Sequence, residues 1–266
     1  MTIPEPASLA VNSIQEALAT GRCLVGLWLS MGNCAAAEIA AGAGFDWLLV
    51  DAEHSPNELP DVLAQLRAVG NACPVVVRPE CNDPPRIKRL LDIGVQTLLI
   101  PFVCSPEEAA AAVAATRYPP SGTRGFSSCT RANGYGRITD YVRRADAQIC
   151  VIAQVETRRA PAQLEEIAAV DGISAIFIGA ADLAVDFGSP GNVSDPTVWG
   201  AVLDAAARLR QIGKPAGILL FRRSDLEAAV RAGFQFIGLG SDTRLLATAC
   251  DGALSDWKRV ATRFEP

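Results

Sequence analysis

Eight short apolar runs, separated by stretches with helical boundary signals, constrain this chain more than any other feature. They are Cys23–Leu29, Phe45–Asp51, Pro74–Arg78, Thr97–Val103, Ile149–Glu156, Ser174–Gly179, Ala216–Phe221 and Phe236–Asp242. Most are continuously apolar rather than alternating, the pattern of parallel strands covered on both faces. Between them lie Ala- and Leu-rich segments with starts and stops. Ser13 with Glu16 predicts a capping box for a helix ahead of the first run. Asp83–Pro84 predicts an N-cap followed by proline at N1, with Gly94 closing that helix. Ser105–Pro106 with Glu108 repeats the logic, and Gly42, Gly44, Gly213 and Gly233 fall where helices should stop. Strand and helix repeated eight times predict a (β/α)₈ TIM barrel with an extra N-terminal helix, one domain over residues 1–266. A doubly wound sheet is the second architecture compatible with the alternation.

Composition narrows the partners. The formal net charge of −5 argues against nucleic acid, which needs a basic face. No apolar run approaches 18 residues, so no membrane span is expected. Met1–Ala10 lacks the basic-then-apolar pattern of a signal peptide, so a cytoplasmic location is expected. The eight cysteines form no CxxC pair, and Cys23, Cys104 and Cys150 lie in apolar runs, which reads as reduced, buried thiols. There is no GxxxxGK[ST] or GxGxxG motif for a nucleotide. The single histidine excludes a His-rich zinc site. Lys88, Lys214 and Lys258 all fall outside strand C-terminal ends, so none is placed for Schiff-base chemistry.

In a barrel the chemistry gathers where strands end, and the polar residues do so here. The second run ends in Asp51-Ala52-Glu53-His54, the third in Arg78-Pro79-Glu80, the fifth in Gln154-Val155-Glu156 and the sixth in Gly179-Ala180-Ala181-Asp182. Glu156 and Asp182 follow consecutive strands. They suit either a shared divalent cation with oxygen ligands or salt bridges to nearby bases. His54 is either a satisfied structural histidine or a general base. Arg78 emerges from an apolar strand and needs an anion, which is either a neighbouring carboxylate or a substrate. Gln154 is a loop hydrogen bonder or a substrate contact, and Trp28 is core or pocket wall. Two long connections stand out. The first, Tyr118–Gln148, carries Arg124, Arg131 and Arg137, and the second is Asp182–Thr197.

Several segments together resemble the HpcH/HpaI aldolase family. They are Gly26-Leu27-Trp28-Leu29, the stretch from Ala41 to His54, Val77-Arg78-Pro79 with Asn82-Asp83-Pro84, and Gln96 to Pro101. Arg117-Tyr118-Pro119-Pro120, Gln154-Val155-Glu156-Thr157 and Phe177 to Leu183 complete the set, in order and with family spacing from about Gly21 to Ala249. The resemblance implies a divalent metal (Mg²⁺, Mn²⁺ or Co²⁺). It also implies reversible cleavage of 4-hydroxy-2-oxoacids, such as 4-hydroxy-2-oxoheptanedioate, to pyruvate and an aldehyde, with pyruvate or hydroxypyruvate as donor in condensation. It assigns Glu156 and Asp182 to the metal, His54 to the base, Asp92 to the carboxylate raising its basicity, and Arg78 to transition-state stabilisation. Gln154, Ala181 (through its backbone N–H), Gly179, Trp28, Leu219 and Arg124 are the implied substrate contacts. A homo-hexamer with an exchanged C-terminal helix is implied as well. The sequence departs from the family pattern at Ala180, usually proline, at Glu80-Cys81, and in the loop Ser127–Gly136. A citrate-lyase-β-like lyase acting on a CoA thioester, and a non-catalytic oxoacid-binding barrel, are the competing readings.

Overall fold

Every one of the eight apolar runs forms a strand. The computed structural model describes residues 8–262. In it β1 is Leu24–Leu29, β2 Trp47–Asp51, β3 Val75–Arg78, β4 Thr97–Ile100, β5 Cys150–Val155, β6 Ile173–Ile178, β7 Ala216–Leu220 and β8 Phe236–Ser241. They pair in parallel and in sequence order, and β8 returns to β1 to close a barrel. The helices are α1 (Ser13–Ala19), α2 (Cys34–Ala41), α3 (Leu59–Val69), α4 (Pro84–Asp92), α5 (Pro106–Thr116), α6 (Tyr141–Ala145), α7 (Leu164–Ala169), α8 (Ala180–Asp186), α9 (Pro196–Gln211), α10 (Leu226–Ala232) and α11 (Asp242–Ala261). Helices α2 to α5, α7, α9 and α10 descend from the C-terminal to the N-terminal ends of the strands. The doubly wound alternative is excluded by the closure.

Asp83 and Ser105 cap α4 and α5 as predicted. The cap of α1 is Asn12 rather than Ser13: its side-chain oxygen accepts from the Gln15 N–H. The Asn12 amide also donates to the carbonyls of Gln96 and Gln148 and to the Thr97 hydroxyl, at 3.0–3.1 Å. These bonds tie α1 across the N-terminal end of the barrel. Ile14 and Leu18 then join the barrel interior, stopping its floor with apolar side chains.

Two buried layers result. One fills the space between strands and outer helices; the other lies inside the barrel. Inside, Trp47 stacks on Phe236 with ring centroids 4.0 Å apart, and Trp28 packs edge-on to Trp47 at 5.6 Å. The strand glycines make room for these rings. A Cβ on Gly26 would fall within the Trp47 indole, and one on Gly238 would sit 2.6 Å from Trp28. All eight cysteines are unpaired; Cys73 and Cys150 are buried and Cys104 half-buried, whereas Cys23, Cys34, Cys81, Cys129 and Cys250 are exposed, so the expectation of buried thiols holds for only part of the set.

Of the long connections, 118–148 includes α6 and enters β5, so it lies on the N-terminal face. The other begins inside α8, a short helix that the sequence reading treated as loop. Helix α11 differs from the rest. Among its twenty residues none is buried, and Leu245, Leu246, Leu254 and Trp257 are exposed.

Candidate active site

The C-terminal ends of the strands open onto a cavity of about 660 Å³. Trp28, His54, Arg78, Gln154, Gly179, Ala181, Asp182 and Leu219 line it. Glu156 stands immediately behind, buried at the end of β5. Asp92 and Arg124 are elsewhere. Helix α4 descends from β3, so its last residue, Asp92, reaches the N-terminal face, where its carboxylate accepts from Arg124 at 3.1 Å. The Arg124 guanidinium is fully buried, 4.5 Å above the Tyr118 ring and hydrogen-bonded to the Tyr141 hydroxyl. Arg124 is therefore no contact of this protomer's cavity, and Asp92 no neighbour of its His54. The family resemblance assigns both to the site; the direction of the connecting helix puts them at the other end of this protomer.

Arg78 is the hub of the mouth. β2 and β3 pair with Asp51 opposite Arg78, and the guanidinium donates to both Asp51 oxygens at 2.7 and 2.8 Å. Its remaining nitrogen lies 3.0 Å from Glu53 and donates to the Gln154 side-chain carbonyl at 3.4 Å. Burying this cation is compensated by two carboxylates and a planar, two-pronged fit that lysine lacks. Asp51 also accepts from the backbone N–H groups of Glu53 and His54, which fixes the turn presenting His54. The His54 ring is more than half exposed, with Nε2 3.7 Å from Glu53. Sequence reasoning named the acidic cluster but took only His54 from it. The buried arginine was the signal available for Asp51 and Glu53, because an adjacent strand end is where its anion must come from.

Glu156 is held at both oxygens. One accepts the Phe102 backbone N–H at 2.7 Å and the other a short bond from the Gln154 amide. Gly179 packs against it: a Cβ there would lie 2.6 Å from Glu156 Cβ and 2.7 Å from its carboxylate. Burial raises the Glu156 carboxyl above the ordinary carboxylate range despite these two donors, and the charges of Glu53 and Asp182 push the same way. Glu53 rises to about 7, mainly through burial, with Arg78 opposing and Asp51 and Asp182 adding. Three acids thus meet at one wall. Among the described residues neither Glu156 nor Asp182 forms an ion pair, so the salt-bridge alternative for these two is not what the structure contains. Glu156 and Asp182, which oppose each other's ionisation and lack a basic partner, supply oxygen donors of the kind a hard divalent cation takes, while no cluster of three or more acid, His or Cys side chains is gathered into a metal site among the described residues.

Ala181 and Asp182 occupy the first turn of α8, where backbone N–H groups have no acceptor within the helix. The Trp28 indole N–H is buried without a partner among the described residues. The cavity therefore offers an acidic wall, an arginine, free N–H donors and one histidine.

Comparison with known proteins agrees with this geometry. Residues 24–249 match the model of the family described as HpcH/HpaI aldolase/citrate lyase. The chain is 49% identical over 251 residues to a hydroxypyruvate/pyruvate aldolase of Sagittula stellata, covering 94% of this chain and 99% of that one. It is 46% identical over 253 residues to a 4-hydroxy-2-oxo-heptane-1,7-dioate aldolase of Klebsiella pneumoniae, covering 94% and 96%. A crystal structure of an HpcH/HpaI aldolase/citrate lyase family protein from Burkholderia cenocepacia superposes with a TM-score of 0.90 at 38% identity, over 93% of this chain and all of that one. With the barrel, the carboxylate wall and the sequence match in accord over nearly the whole chain, it belongs to the HpcH/HpaI aldolase/citrate lyase family.

Proposed function

We propose that the protein is a divalent-cation-dependent aldolase that cleaves 4-hydroxy-2-oxoacids to pyruvate and an aldehyde and runs the reverse condensation. The observation that carries this reading is the pairing of an ion-pair-free Glu156 and Asp182 with the buried Arg78 across one cavity. The names of the relatives support the same chemistry, with pyruvate or hydroxypyruvate as donor. Glu156 and Asp182 would hold the cation. When bound, it supplies Lewis acidity at the 2-oxo oxygen of the substrate.

The protein's own groups account for the rest. The free N–H groups of the first turn of α8, Ala181 among them, suit the substrate carboxylate. In cleavage, His54 takes the proton of the C4 hydroxyl, the C3–C4 bond breaks, and its electron pair passes to the three-carbon fragment as an enolate. Arg78 stabilises the charge that develops on the enolate oxygen, and protonation at C3 completes pyruvate. Asp51 and Glu53 keep the guanidinium in place. Leu219 and Trp28 wall the cavity on the side left for the organic chain.

Chelation tests the cation. The enzyme treated with EDTA loses pyruvate release from 4-hydroxy-2-oxoacids, and Mn²⁺, Mg²⁺ or Co²⁺ restores it; full activity in excess chelator would end the reading. The CoA-thioester alternative needs a basic cleft for a pyrophosphate. The arginines of the 118–148 connection are on the opposite face of the protomer from the mouth, which disfavours it.

The bare α11 supports a homo-oligomer, a hexamer by family resemblance, in which this helix is exchanged onto a neighbouring copy. A 20-residue helix with several large apolar residues exposed would gain stability by packing them against a neighbouring copy. In such an assembly Asp92 reaches a histidine only at the mouth of another copy.

A further inference from the structure

We propose that Phe102 is a positioning residue: a one-residue bulge after β4, with Phe102 in the left-handed region, turns its backbone N–H out of the sheet and onto Glu156, holding that carboxylate ready for the cation. The inference rests on the reading of Glu156 as a cation ligand. It starts from register. Thr97 pairs with Cys150, and the Cys150 N–H donates to the Gln96 carbonyl. Continued by steps of two, that ladder would send the Phe102 N–H to the Gln154 carbonyl. The Val103 N–H takes that carbonyl instead, at 3.0 Å. One extra residue has therefore entered β4's side of the pair, and the Phe102 N–H is released from the ladder.

The released N–H does not turn to solvent. It meets Glu156 Oε1 at 2.7 Å. Its φ of +54° is unfavourable for a residue with a Cβ. The Phe102 ring is about half exposed, so burial of the side chain does not hold this conformation. Pro101, which precedes it, has no N–H to donate on the β3 side, so the strand makes no bond there beyond Ile100 that would hold it in register. What the main chain gains is two bonds, Val103 to Gln154 and Phe102 to Glu156. Bulges that re-aim a group beside an active site are a recurrent device. Here the group is an amide, and the Gln154 side chain supplies its counterpart on the other oxygen. Fixed at both oxygens, Glu156 would meet the cation without first choosing a rotamer.

The test removes one hydrogen. Replacing Phe102 by its α-hydroxy acid through nonsense suppression turns the amide into an ester and deletes only the N–H. Mn²⁺ affinity, read by electron paramagnetic resonance of the free ion at fixed pH, should fall about 10–100-fold, the usual effect of losing a partner that orients a metal ligand. Phe102→Gly, which keeps the N–H and adopts a positive φ freely, should stay close to the wild type. Circular dichroism checks that both variants are folded. An ester variant with wild-type Mn²⁺ affinity would overturn the proposal. Glu156→Gln is the control: if it also binds Mn²⁺ as the wild type does, the assignment of the ligand has failed rather than the role of Phe102.

Discussion

At Arg78 the demands of stability and of the proposed chemistry fall on one side chain and can be told apart. Its two bonds to Asp51 and its contact with Glu53 neutralise acids that the barrel buries. Removing one partner of such a cluster leaves the other charges uncompensated, which costs about 3–5 kcal/mol. Arg78→Ala should therefore lower the urea midpoint, and it should also lower kcat by about 10²–10³-fold, the scale of losing one oxyanion stabiliser. Asp51→Asn should reproduce part of the stability loss with a smaller effect on kcat, so unfolding curves and steady-state rates together separate the two roles. Glu53 makes a pH prediction. Its folded-state pKa of about 7 lies above the ordinary 4.5. Between those values the folded protein binds more protons than the unfolded chain, so this group makes stability fall as pH rises through that window. The cation-free protein should have a higher urea midpoint at pH 5 than at pH 7.5, and Glu53→Gln should reduce the difference, leaving the share of Glu156, whose carboxyl burial raises as well. An equal slope in the variant would assign the effect to other groups.

At the scale of elements, the floor and the mouth of the barrel are built by different means. The floor depends on α1, and α1 depends on Asn12, whose amide reaches three acceptors from two other segments. Asn12→Ala should destabilise by about 1–3 kcal/mol by leaving buried carbonyls unpaired. Amide exchange in α1 should rise before that of any strand. The strands themselves were legible because burial on both faces writes an uninterrupted apolar run. Their ends were less so. The fourth run reads as strand to Val103, yet β4 stops at Ile100, because Pro101 and the left-handed Phe102 interrupt the ladder while keeping the apolar pattern. Likewise Ser13 has the residue type of a cap, but Asn12 alone reaches the barrel floor, a tertiary contact that no local signal records. The mouth residues at strand ends were readable from topology. Asp51 and Glu53 were written in the same tetrapeptide as His54, and only the buried partner Arg78 distinguishes them from ordinary surface acids.

The whole molecule raises the question of what Asp92 and Arg124 are for. Family resemblance assigns them to the site, and their ion pair is on the N-terminal face, at the far end of the barrel from His54. The topology alone forces this, since a helix that leaves the top of β3 must end at the bottom of β4. Two outcomes are compatible with a single protomer: the pair is purely architectural, or it completes the mouth of a neighbouring copy. Architecture alone is a weak account of Arg124, which is buried with Nε and Nη1 unpartnered among the described residues. An assembly that joins one copy's N-terminal face to another's mouth would give Asp92 its histidine and leave Arg124 to hold Asp92 in place. The same assembly would cover the apolar residues of α11. Subunit mixing tests this directly. His54→Ala and Asp92→Ala should each be inactive alone and should recover pyruvate release when dissociated together and reassembled, because mixed contacts then contain one intact mouth. Asp92→Ala that remains active, or mixtures no better than either parent, would return the pair to an architectural role and confine the chemistry to Arg78, Glu156, Asp182 and His54 of one chain.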